Sequence, residues 1–462
     1  MISLQTAVTS FLARREGNFA VMTAAVSVAI VLAAGFALNI GQMSMTRSNL
    51  LNALDAAITS TARDITTGRL APDKARETVE AFLLANGGTG FAAANDISLD
   101  SLVANRGAHT LQAVASVDIE LAFPVFGGSS SRKISVESAA VYSDKKIEVA
   151  MMLDITGSMA GNKLSDLKRA ARNAVATLLA SNSKTNPRVR VAIVPYANSV
   201  NVGHGIAQLS VFVEETKKQR SDILKAGRTP GNTEPKAVSA GHSRPDNCAT
   251  ERKGDYQYSD AGPDISMVNR DYFLDKFAGG VGGYGSTRTC PKAEIVPLTA
   301  DAGDLLDAID DFEAEGGTAG HIGIQWSWYM LSRSWRNVLP AASAPAPSDP
   351  TKVAKYAVLM TDGEFNLSYF DIDKADQAYN NAGKYETRDA ATRLCRRMRD
   401  AGIEVFTIGF KLEDKRAKET MSACASPDNG RVRHYFETSS GTELDAAFQE
   451  IAANIERLAL TK

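Results

Sequence analysis

No charged residue stands between Glu16 and Arg47, and within that stretch Phe19 to Ile40 reads FAVMTAAVSVAIVLAAGFALNI. About 20 apolar residues is the length that crosses ~30 Å of hydrocarbon as a helix, whereas a soluble helix of that length shows a polar face. The polar residues within the run are the small Thr23, Ser27 and Asn39, so the pattern predicts a transmembrane helix over residues 17–42. A secretory signal would have a shorter apolar core, although Ala33-Ala34-Gly35 leaves cleavage open as an alternative. Arg14 and Arg15 directly precede the run and the first cation after it is Arg47. That asymmetry places residues 1–16 in the cytoplasm and exports everything beyond the run.

An exported remainder of this size has room for more than one domain. The 462 residues are 44% hydrophobic and 23% charged, the proportions of an ordered, folded chain. Lysine and arginine total 51 against 53 acidic residues, so the basic footprint of a nucleic-acid binder is missing and no nucleic-acid partner is expected. Cys248, Cys290, Cys395 and Cys424 have neither zinc-ligand spacing nor the density of a disulfide miniprotein.

After the run, Leu50, Leu54, Ala57, Ile58 and Ala62 keep helical spacing, so the anchor helix is expected to continue straight out of the bilayer. A second helix is expected from Pro72 to Asn86, closed by Gly87-Gly88. Residues His109 to Phe123 and Lys133 to Tyr142 alternate in the strand period across a glycine- and serine-rich turn. Residues 43–143 therefore read as a small α+β stalk.

The segment REGNFAVMTAAVSVAIVLAAGFALNIGQ followed by LLNALDAAITSTAR, residues 14 to 63, resembles the N-terminal segment of TadE/TadG-like proteins of the Tad (Flp) pilus-assembly machinery. Pilin-like members carry a glutamate five residues after the cleavage glycine, whereas Met22 stands five after Gly17. The departure argues against prepilin processing and for a TadG-like, anchored protein.

Lys146 to Leu153 is a short apolar run that leads into Asp154-Ile155-Thr156-Gly157-Ser158-Met159 and then a helical stretch from Lys163 to Leu179. In a parallel sheet the carboxyl ends of strands form the ligand crevice, so Asp154, Thr156 and Ser158 would present three oxygens to one point. One carboxylate with two hydroxyls is a hard, partial cage suited to Mg²⁺ (or Mn²⁺). Glu315-Gly316-Gly317-Thr318, and Val353 to Met360 ending in Thr361-Asp362-Gly363, stand at further expected strand or helix ends. A helix-capping turn is the plainer reading of DxTGS taken alone.

Together these three motifs, in this order, resemble the von Willebrand factor type A domain and its metal-ion-dependent adhesion site, over residues 144–460. By that resemblance the metal residues are Asp154, Thr156, Ser158, Thr318 and Asp362, with Thr156 replacing a serine. The remaining elements fit a doubly wound, mostly parallel α/β sheet: strands from Arg188 to Tyr196, Ile403 to Phe410 and Arg433 to Glu437, and helices from Asp304 to Glu313, Ile322 to Ser332 and Leu444 to Leu458. Residues 204–292 are an insertion, longer than an ordinary connection. It either overhangs the metal loops or decorates the surface without touching them.

In an exported protein the cysteines would pair locally. Cys395 with Cys424 resembles a pairing pattern of TadG-like proteins, and Cys248 with Cys290 would close the long loop of the insertion; buried free thiols are the alternative for each. His204, His242, His321 and His434 lack ligand spacing, and His321 is expected to pack at a helix start. Gly279 to Gly285 lacks the lysine of a phosphate loop, and Trp326, Trp328 and Trp335 read as core or interface aromatics. The expected function is binding rather than catalysis. It would be a membrane-anchored, metal-dependent adhesion protein of the bacterial envelope, acting in Tad/Flp pilus assembly or attachment, whose partner offers an acidic residue to the metal. A metal-dependent hydrolase and a non-adhesive scaffold subunit are the alternatives.

Overall fold

The structure, a computed structural model, describes residues 17–86, 97–105, 109–123, 130–143, 145–183, 186–213, 247–270, 290–370, 381–430 and 432–461. It divides into two compact units, residues 1–143 and 144–462.

The first unit is built on one helix, α1 (Gly17–Thr66), whose 50 residues span about 75 Å at 1.5 Å each. From Val21 onward its N-terminal half is long and apolar enough to cross a membrane and is almost wholly exposed. Its second half turns Leu50, Leu54, Ala57, Ile58, Ala62 and Ile65 inward. That stripe packs with α2 (Ala75–Asn86) on an antiparallel sheet of β1 (Ile97–Asn105), β2 (Thr110–Glu120) and β3 (Ser131–Val141), with β2 central. Strand β1 has no counterpart in the sequence reading. A bulge between Leu99 and Ser101 shifts its register, so Ile97, Leu99, Leu102 and Ala104 break the two-residue period that would have marked it. Alternation did mark β2 and β3, which pair over eleven residues from Thr110 opposite Val141 to Glu120 opposite Ser131.

The second unit is a doubly wound, mostly parallel α/β fold. Its six-stranded sheet runs in the order β6 (Val296–Thr299), β5 (Val189–Tyr196), β4 (Lys146–Asp154), β7 (Val353–Thr361), β8 (Glu404–Phe410), β9 (Tyr435–Thr438). All neighbours are parallel except β6, which runs antiparallel to β5 at the edge. The sheet is apolar on both faces, as helices on both sides require. Ile147, Val149, Met151 and Leu153 of β4 enter the core shared with α3 (Asn162–Leu179), α4 (Ala302–Asp310) and α8 (Gly441–Thr461). Ala150 and Met152, one residue out of phase, enter the opposite core with α5 (Gly320–Leu331), α6 (Asn381–Asp400) and α7 (Lys415–Cys424).

Helix α5 is buried along its whole length and includes Trp326 and Trp328; Trp335, also buried, follows it and stacks on Tyr329. The described part of the insertion is packed rather than loose. Val200-Asn201 pairs with Cys248-Ala249, Val211–Val213 pairs with Val268–Arg270, and Thr250 to Lys253 are buried. The glycine-rich residues 279–285 lie outside the described residues, as do Arg14, Arg15 and His242.

Candidate metal centre

Strand β4 delivers Asp154 to the carboxyl edge of the sheet, opposite Tyr196 at the end of β5 in parallel register. Asp154 is fully buried, and neutral donors saturate it. Its Oδ1 accepts from the Thr156 amide at 2.9 Å and the Thr156 hydroxyl at 2.6 Å. Its Oδ2 accepts from the Tyr196 hydroxyl at 2.8 Å and the Thr361 hydroxyl at 2.7 Å. The hydroxyls of Thr156 and Ser158 lie 2.9 Å apart, and Ser158 donates to Asp362 Oδ1 at 2.6 Å. Four side chains from two loops thus form one unbroken chain of oxygens, buried at Asp154, Thr156 and Asp362 and open to solvent at Ser158. Thr156 begins a short 3₁₀ turn, but its side chain makes no capping bond there. Its hydroxyl serves the carboxylate instead, which weighs against a simple capping turn.

Thr318 reaches the same edge through backbone bonds. The Gly157 amide donates to the Gly316 carbonyl at 3.0 Å and the Glu315 amide to the Ile155 carbonyl at 2.9 Å, clamping this loop to the first. Gly316 adopts φ of 74°, the left-handed region where a side chain costs ~1 kcal/mol or more, so the turn requires glycine. The Thr318 amide donates to Asn366 Oδ1 and the Asn366 amide returns to the Thr318 carbonyl, both at 2.9 Å, which ties in the segment after Asp362. The Gly317 amide donates to Asn198 Oδ1 at 2.6 Å.

The electrostatics are uneven. Burial, and after it the charge of nearby Asp362, pushes the Asp154 carboxyl up to about 6, against hydrogen bonds from Thr156 and Thr361 that favour its ionised form. Against two carboxylates stands, among the described residues, one ion-paired cation, Lys163, whose Nζ sits 2.7 Å from Asp362 Oδ2 with its side chain 28% exposed. The excess of negative charge and the hard oxygens suit a small divalent ion. The oxygen-to-oxygen steps of 2.6 to 2.9 Å are close to the ~3 Å edge of an octahedron with ~2.1 Å metal–oxygen bonds. Among the described residues no group of three or more histidine, cysteine, aspartate or glutamate side chains gathers to bind a metal. A divalent ion at this edge would be held by the two carboxylates together with the Thr156 and Ser158 hydroxyls.

Sequence reasoning overlooked Lys163, Tyr196, Thr361 and Asn198. Parallel register was the available signal for Tyr196, and adjacency to Asp362 for Thr361. Lys163 and Asn198 carry no local mark. His321 packs at the start of α5, with Nε2 2.5 Å from Glu251 of the insertion and Nδ1 against Thr387. Glu251 also accepts from the Tyr369 amide at 2.8 Å, so the insertion is pinned to the segment that follows Asp362. Disulfides join Cys248 to Cys290 and Cys395 to Cys424, with Cα separations of 5.6 and 5.0 Å.

Residues 17–64 match the Tad family, described as Flp pilus-assembly TadE/G-like. No curated protein sequence matches the chain. Among solved structures, similarity extends to the von Willebrand factor domain of the type V pilus tip protein Mfa5 from Porphyromonas gingivalis, at 14% identity and a TM-score of 0.37 over 69% of this chain and 97% of that one. It extends also to the pilus adhesin SpaC from Lactobacillus rhamnosus GG, at 12% identity and 0.36 over 79% of this chain and 35% of the adhesin. A third is proximal thread matrix protein 1 from the mussel byssus, solved with a zinc-occupied metal-ion-dependent adhesion motif, at 13% identity and 0.31 over 68% and 46% of the two chains.

Proposed function

We propose that this chain, whose residues 17–64 are a TadE/G-like segment, is a membrane-anchored envelope protein that binds partners through a divalent ion held by Asp154, Thr156, Ser158, Thr318 and Asp362. The carrying observation is the charge imbalance at the sheet edge: two buried carboxylates and a chain of hydroxyls face a single half-screened lysine. A bound Mg²⁺ or Mn²⁺ would supply the missing positive charge and keep a coordination position for an acidic side chain of the partner. The apolar half of α1 would span the membrane, with residues 1–16 in the cytoplasm and residues 144–460 exported, where a Tad/Flp pilus component is the expected partner. Binding is favoured over hydrolysis because His321, three residues after Thr318, has both ring nitrogens engaged by Glu251 and Thr387.

The test is calorimetric titration of the full chain in detergent with Mg²⁺ and Mn²⁺, followed by capture of pilus-assembly components with and without chelator. Saturable ion binding and chelator-sensitive capture are expected. Absence of ion binding in the wild-type protein would sink the proposal; chelator-insensitive capture would leave a scaffold in its place.

A further inference from the structure

The face of α1 that builds the stalk core does not stop at the membrane boundary. Thr46, Leu50, Leu54 and Ile58 are buried on it, and the same face continues downward through Gln42 and Asn39 to Gly35. Asn39 and Gly35 are buried, although both belong to the apolar run. They are covered by the strand segment that leaves β2. Asn39 Nδ2 donates to the Phe123 carbonyl at 2.6 Å and the Phe123 amide donates to Asn39 Oδ1 at 3.1 Å. Gln42 repeats the arrangement one turn higher, donating to the Glu120 carbonyl at 2.8 Å and accepting from the Ala122 amide at 3.2 Å. The Phe123 ring lies over Gly35 so closely that a Cβ there would stand 3.2 Å from the ring.

At 1.5 Å per residue, Gly35 is about 8 Å below Ile40, inside the hydrocarbon depth assigned to the run. We propose that the end of β2 dips into the leaflet on the stalk side of the membrane, lodging Phe123 among lipid acyl chains beside α1. The inference rests on the reading of α1 as a membrane span. Two observations select lipid as the occupant. Phe123 is 43% exposed and lies over Gly35, which is flanked on α1 by the exposed Leu32 and Phe36, so its ring extends the apolar surface of the span. The backbone groups of Glu120, Ala122 and Phe123 at this level are also paired with the side-chain amides of Asn39 and Gln42, the pairing that peptide groups need in hydrocarbon and can do without in water. Asn39, the polar residue of the final turns of the run, thereby has a purpose.

The experiment places the full chain in phosphatidylcholine vesicles whose acyl chains carry bromine near the headgroup, and reads the fluorescence that F123W and F36W each add over wild type. Quenching of both by brominated lipid, and loss of the F123W quenching when Asn39→Leu is added, is the expected result. If F36W is quenched by lipid while F123W answers only to aqueous acrylamide, the strand end lies in water and the inference falls although the span stands. If neither is quenched by lipid, the span itself is wrong and the inference goes with it.

Discussion

Strand β4 carries two buried carboxylates on the same face, Glu148 near its amino end and Asp154 at its carboxyl end, and their surroundings are opposite. Glu148 lies level with Arg190 on β5 and Lys355 on β7. It forms ion pairs with both, 3.1 Å to the lysine, and accepts from the Ala346 amide at 2.9 Å. Lys355 also donates to the Leu331 carbonyl at 2.5 Å, where the negative end of the α5 dipole welcomes a cation. Asp154 has no cation within its hydrogen bonds and has a second carboxylate for a neighbour. A charge buried with its counter-ions is held by them; one buried without them favours taking up a proton or a cation.

Breaking the closed end should have the largest effect. Glu148→Gln strands two mostly buried cations, and chemical denaturation should register a loss of about 3–5 kcal/mol, the usual cost of removing one partner of a buried pair. Asp154→Asn is the matching change at the open end. It should leave unfolding in chelator unchanged or slightly improved, yet weaken Mg²⁺ binding by roughly 100-fold or more, since the ion loses a full charge in a site of low dielectric. If Asp154→Asn unfolds the protein as Glu148→Gln does, the contrast between the two ends is false.

The pH dependence comes next in size. With the Asp154 carboxyl raised from an ordinary value near 3.8 to about 6, the folded state holds the proton more tightly than the unfolded chain. In chelator, this group's contribution to stability is therefore full below about 4 and is lost as pH rises through about 6. An ion competes with that proton, so Mg²⁺ affinity should fall about tenfold from pH 7 to pH 5, and thermal unfolding with and without Mg²⁺ should converge in acid. Parallel curves at both pH values would place the ion elsewhere. The smallest change is expected from Lys163→Met, which removes the one cation already on Asp362 and should tighten Mg²⁺ a few-fold in the same titration. Weaker binding in that variant would make Lys163 a support of the site rather than a competitor.

The elements of the sheet were readable because each strand of a doubly covered sheet must be apolar on both faces, and the runs VAMML and YAVLM announce it. That Asp154, Thr156, Ser158 and Asp362 come together was readable from their place at the ends of such runs, where a parallel sheet gathers its loops at one edge. Strand β1 was not, because its bulge disguised the period. The burial of Thr250 to Lys253 was not either, since four polar or charged residues in a row mark a surface loop unless distant groups, here His321 and the Tyr369 amide for Glu251, satisfy them.

Local chemistry thus determined that the chain has an apolar run of spanning length, a continuous helix beyond it, and strand ends rich in hard oxygen donors, because each of these is a property of neighbouring residues. Tertiary structure alone decided that Ser158 meets Asp362 across 204 positions, that Lys163 rather than a second cation faces them, and that Asn39 receives Phe123 across 84. These pairings depend on strand order, register and the hand of the crossovers, which arise from packing two cores at once and leave no trace in any single stretch of sequence.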